Sequence, residues 1–176
     1  MALITEDGTG LVGAESYVSE AYSLTYHAAI GISTWATITQ AQREQALRRA
    51  TDYMEQAYRL RWAGYRRTDT QALAWPRSYV PRPDTAANAY YGSGVGYYAH
   101  DSVPAEVQKA CASLALRAAA GELLSDQTQR KSSVTIGPIS TTYEAGSKLN
   151  TTYTEIDALL RPLMKSGRGQ IQLVRV

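Results

Sequence analysis

The stretch that most constrains the fold is "QAQREQALRRATDYMEQAYRLRWAG", residues 40–64. Its apolar positions Ala46, Leu47, Ala50, Tyr53, Met54, Ala57 and Tyr58 recur at the three- and four-residue steps of one helical face. Just ahead, "TWATITQAQ" offers Thr39 as an N-cap with Gln42 three residues on, the spacing of a capping box. A long amphipathic helix is expected here, ended by Gly64, and its apolar face has to be covered by other elements.

Two further helices fit that need. "SYVSEAYSLTYHAAIG" has Ser19 as N-cap and Gly31 as a stop, with Ala21, Tyr22, Tyr26 and Ala29 expected on one face. "SVPAEVQKACASLALRAAAG" places Pro104 in a first turn and runs Val107, Ala110, Cys111, Leu114, Ala115 and Ala118 along one side, with Gly121 or the Ser-Asp pair beyond closing it. Its alanines imply close helix–helix packing.

After the polar linker "DQTQRKSS" the period changes to two. "SVTIGPISTTYE" sets Val134, Ile136, Ile139 and Tyr143 around Gly137-Pro138, which predicts a β-hairpin or β-arm. "TEIDALLRPLM" predicts a short helix with Thr154 as N-cap, disturbed by Pro162. The end, "GQIQLVRV", is of β type and is expected to join the hairpin or add to a sheet in another subunit. The expected fold is mainly α: a small helical bundle with a β-hairpin or extended β-arm and extended N- and C-terminal tails. It forms one domain over 1–176, with an arm at 1–14, a helical body at 15–124 carrying an exposed loop at 81–101, and the β-arm, short helix and terminal strand at 125–176.

"QALAWPRSYVPRP", residues 71–83, interrupts the helical pattern. Leu73 and Trp75 are expected to fold back over the long helix and Pro76 to stop further helix, leaving Arg77 and Arg82 on the surface. Trp62, Trp75 and Leu114 are the expected core.

Charge is uneven although the total is only +2. Residues 1–42 hold four acids and no Lys or Arg, whereas residues 43–82 hold nine Arg against four acids. A head-to-tail contact between like subunits, a basic face toward a polyanion, and a solvated face all fit this pattern. Thirteen Tyr and no Phe suit partly wet contact surfaces, or reflect compositional drift. "YRLRWAGYRR" interleaves Arg59, Arg61, Arg66 and Arg67 with Tyr58, Trp62 and Tyr65. The arginines could meet DNA or an acidic neighbour; the rings could stack on bases or pack inward from a helix end.

Chemistry is not indicated. His27 and His100 have no second-ligand spacing, and GxSxG, Walker A and GxGxxG elements do not occur. "GSGVG" lacks the strand-before, helix-after context of a phosphate loop. The expectation is a protein that is not an enzyme and takes no metal or cofactor. Cys111, the one cysteine, fits a buried thiol in a reducing compartment. Acids instead of a basic n-region at the start, and no apolar run near membrane length, predict an intracellular soluble protein without a membrane anchor.

The order of motifs, "SYVS", "RWAGYRR" joined to "QALAWPR", "VPAEVQKACASLAL", "VTIGPISTTYE" and "YTEIDALLRPLM", resembles a tailed-phage family often labelled DnaT-like single-stranded DNA-binding proteins. The likeness covers roughly residues 14–165. It implies a head–tail connector or adaptor: a homo-oligomeric, dodecameric ring beneath the portal protein in the virion neck, assembled in the host cytoplasm. Such a ring extends the channel for DNA passing through and presents a surface to the next tail or stopper protein. Tyr90, Tyr91, Tyr97 and Tyr98 of the loop, and Ile171, Leu173, Val174 and Val176 of the tail, are the expected inter-subunit or portal contacts. A single-stranded DNA-binding replication accessory is the alternative.

Overall fold

The computed structural model describes residues 2–82, 84, 96–124, 133–136, 139–142 and 152–165. The chain is mainly helical, as its periodicity predicts. In order it forms α1 (Glu20–Ala29), α2 (Thr34–Thr37), α3 (Gln40–Tyr58), β1 (Tyr65–Arg66), β2 (Arg77–Ser78), β3 (Pro81–Arg82) and β4 (Gly96–Tyr97). Then come α4 (Ala105–Ala120), β5 (Ser133–Ile136), β6 (Ile139–Thr142), α5 (Thr154–Leu160) and a 3₁₀ turn at Arg161–Leu163. Three antiparallel pairs result: β1 with β2, β3 with β4, and β5 with β6, the last in the register Ile136 opposite Ile139.

α3 is the beam of the body. The Thr39 hydroxyl accepts from the Gln42 amide and the Gln42 side chain accepts from the Thr39 amide, so the reciprocal cap forms as its spacing requires. Ala46, Leu47, Ala50, Tyr53, Met54 and Tyr58 are buried, facing the buried stripe of α4 from Val107 through Ala118. Alanine at 110, 115 and 118 lets the two backbones approach. Cys111 lies in this seam against the hydroxyls of Ser16 (4.0 Å) and Thr51 (3.5 Å), and burial pushes its thiol pKa up.

Several expectations need correction. α3 ends at Tyr58, not Gly64, because the chain is taken over by long-range pairing: Ala63 N–H donates to Leu163 O (2.9 Å) and Lys165 N–H to Arg61 O (2.8 Å). In α1 the buried residues are Ser23 and His27, while Ala21 and Ala29 are exposed. Polar pairing explains the choice. Trp35 Nε1 donates to the Ser23 hydroxyl (3.1 Å), and His27 Nε2 faces Ala112 O (3.0 Å). α5 starts at Thr154 itself, with Tyr153 in the capping position. The N-terminal segment lies on the body: Glu6 is buried and its carboxylate accepts from the amides of Gly8 (3.0 Å), Gly10 (2.8 Å) and Leu11 (2.9 Å). Leu11 O in turn accepts from Ala72 N–H (3.0 Å).

The Trp-Pro-Arg step is buried throughout. Trp75 and Trp62 are sealed from solvent and meet edge to face, centroids 5.7 Å apart; Leu114 is equally buried. The Tyr17 hydroxyl donates to Glu55 Oε1 while its oxygen accepts from the amides of Ala74 (3.2 Å) and Trp75 (3.4 Å). Arg77, expected on the surface, is buried. Its guanidinium donates to Ala63 O (2.7 Å), Gly64 O (2.7 Å) and Ala74 O (3.2 Å). Arg82 is exposed as expected, beside Asp84 at 3.3 Å.

Two outcomes follow from this packing. Arg77→Ala leaves three interior carbonyls without their donor and is expected to lower unfolding free energy by about 3 kcal/mol, whereas Arg82→Ala changes it by at most about 0.5 kcal/mol; urea titration reads both. His27 is held neutral by burial, its pKa lowered from 6.5. The unfolded chain then binds the extra proton, so stability falls as pH drops below about 6.5. Urea midpoints measured across that range should fall in the wild type and stay flatter in His27→Gln.

Candidate nucleic-acid interface

The turn after α3 and the hairpin of β1 and β2 are shaped by one glycine. Gly64 has φ +65°, and a Cβ there would stand 2.2 Å from Ser78 O and 2.9 Å from Val80 Cγ2. Both the left-handed conformation and the close backbone contact require glycine. The tight turn lets Tyr65 pair with Ser78 and Arg66 with Arg77. Past β2, Tyr79 takes φ +60°, a conformation that costs a bulky residue free energy.

These segments and the 3₁₀ turn after α5 enclose an open groove of about 1080 Å³. Arg59, Leu60, Tyr65, Arg66 and Tyr79 line one part of it; Arg161 and Lys165 enter from the 3₁₀ turn and the residues after it. Leu60 is 87% exposed, Tyr65 74% and Tyr79 70%. Tyr97 of β4 meets Tyr79 edge to face at 6.2 Å. Asp69 is the one acid in the lining among the described residues.

The four arginines singled out in the sequence divide. Arg59 and Arg66 reach the groove. Arg66 also donates to Gln71 O, while its Nε is buried without a partner. Arg61 stands over the Tyr58 ring (5.3 Å), 4.0 Å from Asp157, and Arg67 donates to Gly8 O (2.7 Å). Of the aromatics in the same motif, Tyr58 and Trp62 pack inward and Tyr65 points out. Arg161 and Lys165 were missed, since they lie about a hundred residues away in sequence and only tertiary pairing brings them in.

The charge asymmetry is partly neutralised within the chain. Glu20 pairs with Arg43 (2.7 Å) and Glu15 with Arg48 (2.9 Å), so acids of the first 42 residues meet arginines of the basic stretch. Glu15's carboxyl is correspondingly held below the usual range, chiefly by Arg48. Among the described residues, Arg59 and Arg161 have no such ion pair. Tyr98, expected at a contact, is half-buried and its hydroxyl donates to Glu106 (3.2 Å); Tyr97 is exposed. Tyr90, Tyr91, Ile171, Leu173, Val174 and Val176 lie outside the described residues.

Among the described residues no group of three or more His, Cys, Asp or Glu side chains could hold a metal ion, and no helix is long and apolar enough to cross a membrane. Gly64→Ala should collapse the β1–β2 turn and cost about 3 kcal/mol or more, read as a lowered thermal midpoint. Gly31→Ala, where φ is also positive but nothing lies within 4 Å, should cost only about 1 kcal/mol.

A family model described as "Putative DnaT-like ssDNA binding protein" matches residues 1–176. No curated protein and no solved structure matches the chain.

Proposed function

The chain belongs to the DnaT-like ssDNA-binding protein family, and from that premise we propose that it works as a structural adaptor, assembled as a ring between portal and tail around the path of the DNA. The observation that carries this reading is where its distinctive residues lie. Trp62, Trp75, Arg77 and Leu114, from the motifs that resemble head–tail connectors, are buried in the body. Tyr17, from "SYVS", is buried with them and bonded to the Trp-Pro step. The motif thus builds a rigid scaffold, and the protein acts through the surfaces that scaffold presents. Leu60, Tyr65 and Tyr79, turned outward beside arginines, have the composition of a contact surface.

A second reading, a single-stranded DNA-binding accessory, is favoured by the cations and tyrosines sharing one groove and by the family's description. Mixing the purified chain with portal protein, followed by electron microscopy and light scattering, tests the first reading. A closed ring seated on the portal is expected. A monomer that stays monomeric with portal and still holds oligonucleotide tightly would replace the adaptor reading with the second.

A further inference from the structure

We infer that the groove between the α3 end, the β1–β2 hairpin and the 3₁₀ turn docks an acidic protein segment that carries large apolar side chains. Its carboxylates meet Arg59, Arg161 and Lys165, and its apolar groups cover Leu60, Tyr65 and Tyr79. The inference rests on the adaptor reading above, and goes further in naming the chemistry that a partner must bring to this surface.

Charge complementarity is the first observation. Elsewhere in the body Arg43, Arg48 and Arg117 are matched by Glu20, Glu15 and Glu155. Among the described residues Arg59, Arg161 and Lys165 form no ion pair, and the groove that they line holds one acid, Asp69. Cations so placed steer an acidic partner and fix its register more than they tighten it. The affinity has to come from apolar burial, which is the second observation. Leu60 is the most exposed large apolar side chain among the described residues, and Tyr65 and Tyr79 stand out beside it. Ala63, which is buried, and Met164, which is half-buried, give the same groove an apolar floor. An apolar centre inside a charged rim is the layout of a protein–protein contact. The third observation is strain. Tyr79 holds a left-handed backbone with its ring turned out, and strained positions of this kind cluster at binding sites.

A protein segment fits this surface better than a nucleic-acid strand. Phosphates pair with cations and bases stack on flat rings, but neither has a use for the branched Leu60 or for Met164. Tyr79 and Tyr97 meet at 87°, so the pair offers no flat platform for a stack of bases. The volume, about 1080 Å³, has room for several side chains, so the occupant is a stretch of chain instead of one anchoring residue.

The test is fluorescence anisotropy of the full chain with labelled peptides of about ten residues. One alternates glutamate with leucine and phenylalanine; a second has lysine in place of glutamate; a third has serine in place of leucine and phenylalanine. The first should bind at least about tenfold more tightly than either of the others in about 0.1 M salt. Arg59→Glu with Arg161→Glu should weaken it about tenfold there and far less in about 1 M salt. Leu60→Ser, at a position exposed enough for the thermal midpoint to hold, should weaken it about tenfold at both salt concentrations. Equal binding of all the peptides, or a Leu60→Ser variant that binds like wild type, overturns the inference. Oligothymidylate that binds more tightly than the acidic peptide and displaces it also overturns it, and gives the groove to a strand. A ring that forms on portal without any peptide binding overturns it and leaves the adaptor reading standing. Selective binding of the acidic peptide by a chain that forms no ring upholds the groove's assignment and removes that reading.

Discussion

A guanidinium held by three main-chain carbonyls organises this molecule. Arg77 joins Ala63, Gly64 and Ala74, and so ties the turn after α3 to the Trp-Pro step that doubles back over it. Among the described residues no carboxylate pairs with it. Burying a cation is costly unless its donors are met, and here all three backbone partners come from the two segments it unites. From that tie follow the edge-to-face contact of Trp62 with Trp75 and the two-residue strands that hold Tyr65 outward. Glu55 and Tyr17 fasten the other side of the step. Tyr17's phenol is raised well above its ordinary pKa by burial and by the neighbouring Glu55 charge, so it stays a donor at any physiological pH.

Much of the scaffold is legible in the sequence because it is local. The Thr39–Gln42 box, the seven-residue apolar face of α3 and the alanine stripe of α4 are all set by spacing within a few turns. What failed was governed by distant partners. Arg59-Leu60-Arg61 has good helical propensity, yet Ala63 and Arg61 pair with Leu163 and Lys165 instead. Ser23 and His27 are not among the residues whose spacing predicts the buried face of α1, and they are buried because Trp35 and Ala112 supply their partners. Arg77 looked like a surface arginine because nothing nearby in sequence announces three carbonyls.

The candidate site was half legible for the same reason. Arg59, Arg66 and Tyr65 sit in one short motif, but their companions Arg161, Lys165 and Tyr79 are assembled by the fold. Net charge was also a poor guide by itself. The acidic opening and basic middle of the chain suit a head-to-tail subunit contact, a basic face toward a polyanion or a solvated face, whereas Glu15 and Glu20 close onto α3. Only after those pairs are subtracted does the uneven remainder, concentrated in the groove, become visible.

The bridge between Trp62 and Met164 has a consequence for how such a chain emerges from the ribosome. Trp62 is made early, but the backbone that covers it arrives about a hundred residues later. Until then the end of α3 has a large indole and two unpaired main-chain edges facing solvent, surfaces of the kind that invite aggregation. The contact is highly non-local, so closing it costs the chain entropy of a loop of about a hundred residues. The body therefore stays open on that side until the segment around Met164 is made, and the groove, whose far wall that segment forms, cannot exist before it.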